Sequence, residues 1–378
     1  MSRFPDLSHV GRPAPGLGTP VNPMVERAST LLFDRAEDLY RTDVRGYGRH
    51  GNAAQDALED AIRLIEGGEH VSLAPSGLAA CTLAILSFAR AGSHVLVTDS
   101  AYGPTRAFCQ TLLPRYGVDV EFYDPRIGAE IGALLRDNTS LVWLESPGSL
   151  TFEVQDIPAI VAAADGVPTA IDNTWSGGLT LKPLEMGVTA SVQAATKYWS
   201  GHSDVLLGSV TCRDKSAGHR VAQTRKLLGH SVSPDDAYLV LRGIRTLASR
   251  FEQAETSAQT LAETLAAHPK VAQVLHPALP THPDHALWRA QFSGGGCLFG
   301  FTLADAAADD AVALVNALES FGIGYSYGGY ESLAIHCDPQ LRRDHPVALE
   351  GPLIRLACGT EPTDTLKSDV IQALAAIR

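Results

Sequence analysis

The run Ser191-Val-Gln-Ala-Ala-Thr-Lys197-Tyr-Trp-Ser-Gly-His-Ser-Asp204 passes from a short apolar stretch into a loop of small and polar residues, with a lysine at the junction. An apolar run of that length, flanked by turn-forming residues, predicts a buried strand. Lys197 then stands at the strand's carboxyl end, where partial desolvation lowers its pKa and leaves a nucleophilic amine. Taken singly, such a lysine is more often a solvated surface charge. The neighbouring stretches decide between the two readings.

Pro168-Thr-Ala-Ile-Asp172-Asn-Thr-Trp175 is a second apolar run, and it ends in an acid. A carboxylate there can hold a proton on a pyridine nitrogen, or merely cap the next turn. In Leu73-Ala-Pro-Ser76-Gly77-Leu78 a turn opens an Ala/Leu-rich helix. Free amides and a hydroxyl at that helix start suit a phosphate as well as an ordinary N-cap. Asp99-Ser-Ala-Tyr102-Gly-Pro-Thr105 comes after the β-rich run His94 to Thr98 and offers an aromatic ring for stacking. Four such signals at four successive strand ends form a set that chance seldom assembles. They read as phosphate cradle, ring stacker, ring-nitrogen acid and lysine.

Further strands are expected at Leu141 to Leu144, Ala190 to Ala194 and Ser209 to Cys212, and helices from Asn52 to Glu66 and from Gly77 to Gly92. Short runs buried on both faces and separated by helices predict an α/β fold with a mainly parallel sheet, whose ligands sit at the strands' carboxyl ends. One long helix is expected from Ser233-Pro234 to about His268. Beyond it, strands at Cys297 to Phe301, Leu333 to His336 and Ile354 to Ala357, with helices at Asp309 to Phe321 and Asp364 to Ile377, predict a smaller α+β domain. The expected organisation is an N-terminal arm over 1–47, a large cofactor-binding domain over 48–243 and a C-terminal domain over 244–378.

Composition narrows the function. The chain has 378 residues, 45% of them hydrophobic and 19% charged, and a formal charge of -12 that argues against nucleic-acid or anionic-membrane binding. No secretory leader is read in the first thirty residues, and Gly77 to Ala89 is too short for a bilayer span, so a cytoplasmic location is expected. Six scattered cysteines without a C-x-x-C pair read as reduced core residues. His276, His282 and His285 lie in a Pro-rich segment without metal-ligand spacing, so a solvated loop is expected and no metal site.

Several stretches together resemble the transsulfuration group of pyridoxal 5'-phosphate (PLP) enzymes, of fold type I, over nearly the whole chain. They are Val21-Asn-Pro-Met-Val-Glu-Arg-Ala-Ser-Thr30, Tyr47-Gly-Arg49-His-Gly51, Ser76-Gly77-Leu78, Ala101-Tyr102-Gly103, Ile171 to Trp175, and Ala195-Thr196-Lys197-Tyr198 with Gly201 to Asp204. Glu145-Ser-Pro-Gly-Ser-Leu-Thr-Phe-Glu-Val154, Tyr325-Ser326-Tyr327-Gly-Gly-Tyr-Glu-Ser-Leu333 and Leu353-Ile-Arg355-Leu356 are similar to the bacterial β-lyase branch. The γ-branches typically carry Ser-Pro-Thr-Asn-Pro in place of Ser146 to Leu150.

The resemblance implies carbon–sulfur bond cleavage in a cystathionine-like thioether. Lys197 would carry the cofactor as a Schiff base, Asp172 would contact the ring nitrogen and Tyr102 would stack on the ring. Ser76, Gly77, Leu78 and Thr196 would hold the phosphate. Tyr47 and Arg49 would reach the cofactor of a neighbouring subunit, which implies a homo-oligomer, commonly a dimer of dimers. Arg355 would clamp the substrate α-carboxylate, with Ser326, Tyr238 and Tyr47 lining the substrate pocket. The chain departs from the bacterial pattern at Tyr327, where tryptophan is usual, and at His50, where arginine is frequent. Other reactions on the same scaffold, or a PLP-binding regulator without catalysis, are the alternatives.

Overall fold

A computed structural model describes residues 3–345 and 347–377. Seven strands form the first sheet: β1 (His70–Ala74), β2 (His94–Thr98), β3 (Asp119–Tyr123), β4 (Thr139–Glu145), β5 (Thr169–Asp172), β6 (Ala190–Gln193) and β7 (Gly208–Cys212). Their order is β1-β7-β6-β5-β4-β2-β3, and all run in parallel except β7, which is antiparallel to both β1 and β6. The parallel strands therefore deliver Ser76, Asp99, Glu145, Asp172 and Lys197 to a single edge. The α/β architecture with a mainly parallel sheet is as expected from sequence, which gives no bounds for β1 or β3 and no direction for β7.

Alternation along each strand explains the two covered faces. Leu96, Val142, Leu144 and Ile171 join one core with Leu58, Ile62 and Ile65 of α1 (Ala53–Glu66). Val95, Val97, Trp143, Ala170 and Val192 join another with Leu83 and Ala84 of α2 (Gly77–Phe88). The helix α1 starts where Asn52 accepts the Gln55 N–H at 3.1 Å and stops at Gly67, whose φ of 75° suits glycine. Around the same sheet lie α3 (Gly103–Thr111), α4 (Ile157–Ala163) and α5 (Lys215–Leu227).

The long helix expected from Ser233 is two helices, α6 (Pro234–Ile244) and α7 (Leu247–Ala266). The break has a tertiary cause. Arg250 of α7 donates to the Gly243 carbonyl at 2.7 Å and to the Tyr198 carbonyl at 2.8 Å, so it caps α6 while gripping the loop that carries Lys197. Thr246 turns the chain between the two helices.

The second sheet contains β8 (Val271–Leu275), β9 (Leu298–Leu303), β10 (Gly322–Ile323), β11 (Leu333–His336) and β12 (Leu353–Ala357), in the order β10-β11-β12-β9-β8. A short α8 (His285–Gln291) precedes β9, while α7, α9 (Ala308–Ala317) and α10 (Thr363–Ala376) share its apolar core through Leu261, Leu314 and Leu374. The two sheets meet at the site edge. Trp175 Nε1 donates to the Leu298 carbonyl at 2.9 Å, and the Cys297 N–H donates to the Tyr198 hydroxyl at 3.0 Å.

The segment around His276 departs from the solvated loop expected of it. His276 and His282 are not in a solvated loop but buried, each with Nδ1 accepting the N–H of the residue two further on, Ala278 at 3.2 Å and Asp284 at 3.1 Å. Burial pushes their pKa values down to about 3 and about 4, so they pack as neutral rings. Among the described residues no three metal-ligating side chains cluster, and all six cysteines are free and buried.

Before Ala53 the chain is mostly irregular. Phe4 packs edge-on against Phe251 at 5.7 Å, and Arg3 pairs with Glu255 at 2.6 Å. Leu17, Leu32 and Tyr40, by contrast, face outward.

A β-carbon at Gly243 would lie 2.3 Å from the carbonyl oxygens of both Trp199 and Ser200. Gly243→Ala should therefore lower the unfolding midpoint, by about 1–3 kcal/mol of overpacking, although alanine is the better helix former. A midpoint equal to or above the parent's, measured by chemical denaturation, would contradict this contact.

Candidate active site

Each parallel strand around the site ends in or near a residue with a polar task. After β6, Lys197 turns inward and its Nζ donates to the Ser326 hydroxyl at 2.7 Å, 5.3 Å from the Tyr327 ring centre. Burial and the nearby Arg355 push its pKa down to about 8, against partial opposition from Asp172. The amine is therefore largely deprotonated at pH values where an ordinary lysine is fully charged.

Asp172 ends β5. Its Oδ1 accepts from the Thr174 N–H at 3.0 Å and hydroxyl at 2.6 Å, and its Oδ2 accepts from the Cys81 thiol at 3.6 Å. Glu145 ends β4 directly opposite Asp172 in the β4–β5 register. Burial and the Asp172 charge raise the Glu145 pKa well above the carboxylate range. Asp172 is raised by burial too, but its three donors and Lys197 favour its ionised form, so Asp172 carries the charge of the pair.

Tyr102 sits just before α3, with its N–H donated to Glu145 Oε2 at 2.7 Å and the residue 46% exposed. Ser76 caps α2 by accepting the Ala79 N–H at 3.1 Å, which leaves the N–H groups of Gly77 and Leu78 without intrahelical acceptors. A β-carbon at Gly77 would come within 2.6 Å of Ala194 Cβ, so glycine lets the helix start press against the β6 end. The Thr196 hydroxyl closes the next loop, receiving the Leu207 N–H at 3.0 Å.

Arg355, on β12, reaches the same place from the second sheet. Its Nη2 donates to the Ser326 carbonyl at 3.2 Å, and no carboxylate pairs with it among the described residues. Burial lowers its pKa. Ser326 thus bridges the two cations, accepting from Lys197 through its hydroxyl and from Arg355 through its carbonyl, at a φ of 114° that is strained for a residue with a side chain.

Three residues named from the sequence stand apart within one chain. Tyr47 and Arg49 form a cation–π pair at 5.0 Å in an open cleft with Asn52, Ser231 and Val232. Tyr238 lies on α6 near Arg245, where the arm is held, and makes no hydrogen bond or ion pair to Lys197, Asp172 or Arg355. Glu145 is the contributor given no role of its own from sequence. Its signal is present there all the same, since it ends the apolar run Leu141 to Leu144 as Asp172 ends the next.

The donor set suits an anionic aldehyde cofactor: free amides at a helix start, an ionised carboxylate, an exposed aromatic face and a deprotonatable lysine on one sheet edge. This defines a PLP-enzyme scaffold of α/β type. Residues 9–375 match the model of the Cys/Met metabolism PLP-dependent enzyme family. The chain is similar to a putative cystathionine beta-lyase of Rhizobium johnstonii, 46% identical over 98% of this chain and 95% of that one, and to the cystathionine beta-lyase MetC of Escherichia coli, 41% identical over 94% of each. A solved structure of cystathionine gamma synthase from Xanthomonas oryzae pv. oryzae in complex with aminoacrylate and cysteine superposes with a TM-score of 0.91 at 28% identity, covering 100% of this chain and 98% of that one. The chain belongs to the Cys/Met metabolism PLP-dependent enzymes, and its cofactor is pyridoxal 5'-phosphate.

Capture of PLP by the cofactor-free protein requires the neutral Lys197 amine. Its rate should rise about tenfold per pH unit below pH 8 and level off above it, because protonation below the lowered pKa removes the nucleophile. A stopped-flow absorbance profile still climbing at that slope to pH 10 would show an ordinary, solvated lysine.

Proposed function

We propose that this chain is a carbon–sulfur β-lyase that converts L-cystathionine and water to homocysteine, pyruvate and ammonia. The observation that carries the reading is the desolvated pair Lys197 and Arg355, joined through Ser326 and forming no ion pair with a carboxylate among the described residues. Arg355 keeps its charge throughout the working pH range and lacks an anionic partner, so it fits the substrate α-carboxylate, which its planar fork can hold with two hydrogen bonds.

Ser76, Gly77, Leu78 and Thr196 would hold the cofactor phosphate, Tyr102 would cover one ring face, and Asp172 would keep a proton on the ring nitrogen. Bound PLP supplies an electron sink at the α-carbon of the attached amino acid. Lys197 would hold the cofactor covalently at rest and, once displaced by the substrate amine, take the Cα proton. Its lowered pKa suits that task, since the amine is a base near neutral pH and its conjugate acid can return the proton. The Ser326 hydroxyl aims the free amine.

Elimination at Cβ is favoured over the γ-reactions by the segment Glu145 to Val154 and by the names of the relatives. The loop Ser146-Pro-Gly-Ser149 threads tightly, for a β-carbon at Gly148 would lie 2.4 Å from Ser100 Cβ. Tyr47 and Arg49, remote from Lys197 in one chain, fit the cofactor site of a second copy, and Tyr238 would approach the substrate pocket in that assembly. The assembly this implies is a homotetramer built as a dimer of dimers. Among the described residues no helix is long and apolar enough to cross a membrane, and we place the enzyme in the cytoplasm. The same reading divides the chain into an arm over 1–47, a cofactor domain over 48–243 and a C-terminal domain over 244–378.

Lys197→Ala should abolish turnover and the visible absorbance of the bound cofactor, and the purified parent should release pyruvate from cystathionine. Release of 2-oxobutyrate instead would assign a γ-elimination. Arg355→Ala should raise KM by about 30-fold or more, the equivalent of the ~2 kcal/mol lost when one member of a desolvated ion pair is removed. An unchanged KM would place the carboxylate elsewhere.

A further inference from the structure

The pose of Tyr102 is fixed by its backbone. Its hydroxyl makes no hydrogen bond among the described residues and its side chain is half open, whereas its N–H is held by Glu145 Oε2 at 2.7 Å. The other oxygen, Oε1, accepts from the Ser149 hydroxyl at 2.7 Å. Glu145 itself is buried at the end of β4 and cannot swing away without abandoning both donors.

Ser149 leads on to the second sheet. Its carbonyl accepts from Arg343 Nη2 at 2.9 Å, and the same guanidinium contacts the Thr151 hydroxyl and lies 3.6 Å from the buried Glu153. Arg343 belongs to the segment between β11 and β12, the strands adjoining Ser326 and carrying Arg355. The next two residues dock as well. The N–H groups of Asp344 and His345 donate to the two oxygens of the fully buried Asp99 at 3.1 and 2.7 Å, and Arg106 pairs with both Asp99 and Asp344 while lying 3.8 Å above the Phe122 ring. Tyr102 therefore lies within a span, Asp99 to Arg106, both of whose ends are gripped by the segment 343–345, with Glu145 gripping its middle.

We propose that Glu145 is the positioning residue for Tyr102, and that the chain Tyr102–Glu145–Ser149–Arg343 ties the pose of that ring to the docking of the unit that carries Arg355. Substrate clamp and cofactor cover are thereby set together. The inference rests on Tyr102 lying against the cofactor ring. Glu145 makes its hydrogen bonds to the Tyr102 N–H and the Ser149 hydroxyl, so glutamine can replace it without losing either contact. In that variant Oε1 would accept from Tyr102, and Nε2 would donate to Ser149.

The test uses the holoenzyme and reads the visible circular dichroism of the bound cofactor, its dissociation constant, and kcat and KM separately. Glu145→Ala should cut the visible dichroic band at least about twofold and kcat about 10- to 100-fold, with KM changed less than about threefold, since a ring displaced by about 1 Å costs chemistry more than substrate binding. Glu145→Gln should recover most of both. Arg343→Ala should weaken the band in the parent and add nothing in the Glu145→Ala background, as expected for residues acting through one path.

An unaltered band in Glu145→Ala, equal damage from Gln and Ala, or additive effects of the Arg343 and Glu145 changes would each overturn the proposal. If Glu145→Ala does not fold, Ser149→Ala and Arg343→Ala carry the test, and an unchanged band in both overturns it. Tyr102→Ala separates the two layers. If that variant keeps the parent's band, the placement of Tyr102 on the ring fails and the proposal fails with it. If it alters the band while Glu145→Ala does not, only the role of Glu145 falls.

Discussion

Two basic side chains, Lys197 and Arg355, are withdrawn from water side by side, and neither forms an ion pair with a carboxylate among the described residues. An isolated buried charge costs several kcal/mol, so each must find another resolution. Lys197 eases it by releasing its proton more readily, with a pKa pushed down to about 8. Arg355 cannot do so in the working range, and among the described residues its one side-chain hydrogen bond goes to the Ser326 carbonyl. An anion from outside would neutralise it, and on the proposed function the substrate α-carboxylate is that anion. The strained φ of Ser326 belongs to the same arrangement, since that backbone pose lets one residue offer a hydroxyl to one cation and a carbonyl to the other.

The first sheet supplies the opposite charges from its own edge. Glu145 and Asp172 are register partners on adjacent strands, and two carboxyl groups so close and so buried cannot both ionise cheaply. Thr174 and Cys81 supply donors to Asp172, whereas Glu145 is given neutral work, holding an amide and a hydroxyl. Neighbouring strand ends therefore carry one acid that would face the cofactor and one that holds the scaffold. The Thr174 hydroxyl also accepts the Ala194 N–H at 2.9 Å, so the loop leading to Lys197 is fastened to the acid that would sit across the cofactor from it.

The strand-end residues are legible in the amino-acid sequence because burial on both faces writes a short apolar run, and the first polar residues after such a run lie at the carboxyl edge. On that logic Lys197, Asp172, Tyr102 and Ser76 stand out from sequence alone. The direction of β7 does not, because Gly208 to Cys212 has the same apolar pattern whichever way it runs. Nor does the division of α6 from α7, since its cause lies in Arg250 reaching a carbonyl 52 residues away in sequence. The burial of His276 and His282 is hidden for a related reason. Proline and histidine composition reads as solvated, but Trp175 and Phe299 close over His276 from distant segments. Tyr47, Arg49 and Tyr238 are legible only through family resemblance, for nothing in one chain brings them to Lys197.

The N-terminal arm is only partly held by its own chain. Its beginning is tied down by Phe4 against Phe251 and by Arg3 with Glu255, yet Leu17, Met24, Leu32, Leu39 and Tyr40 are all more than half exposed within the next 40 residues. Scattered apolar exposure is ordinary, but a run of this kind in a segment with little secondary structure has no core of its own to join. The ordering entropy of such a segment must be met by contacts it makes elsewhere. Arg27 already pins it to Asp235 at 2.6 Å at the start of α6, beside the cleft that holds Tyr47 and Arg49. A second copy laid over that cleft would bury the arm's apolar side chains and present the Tyr47–Arg49 pair to a neighbouring strand edge, so on the proposed assembly the contact that stabilises the arm would add a guanidinium to the free amides of Gly77 and Leu78.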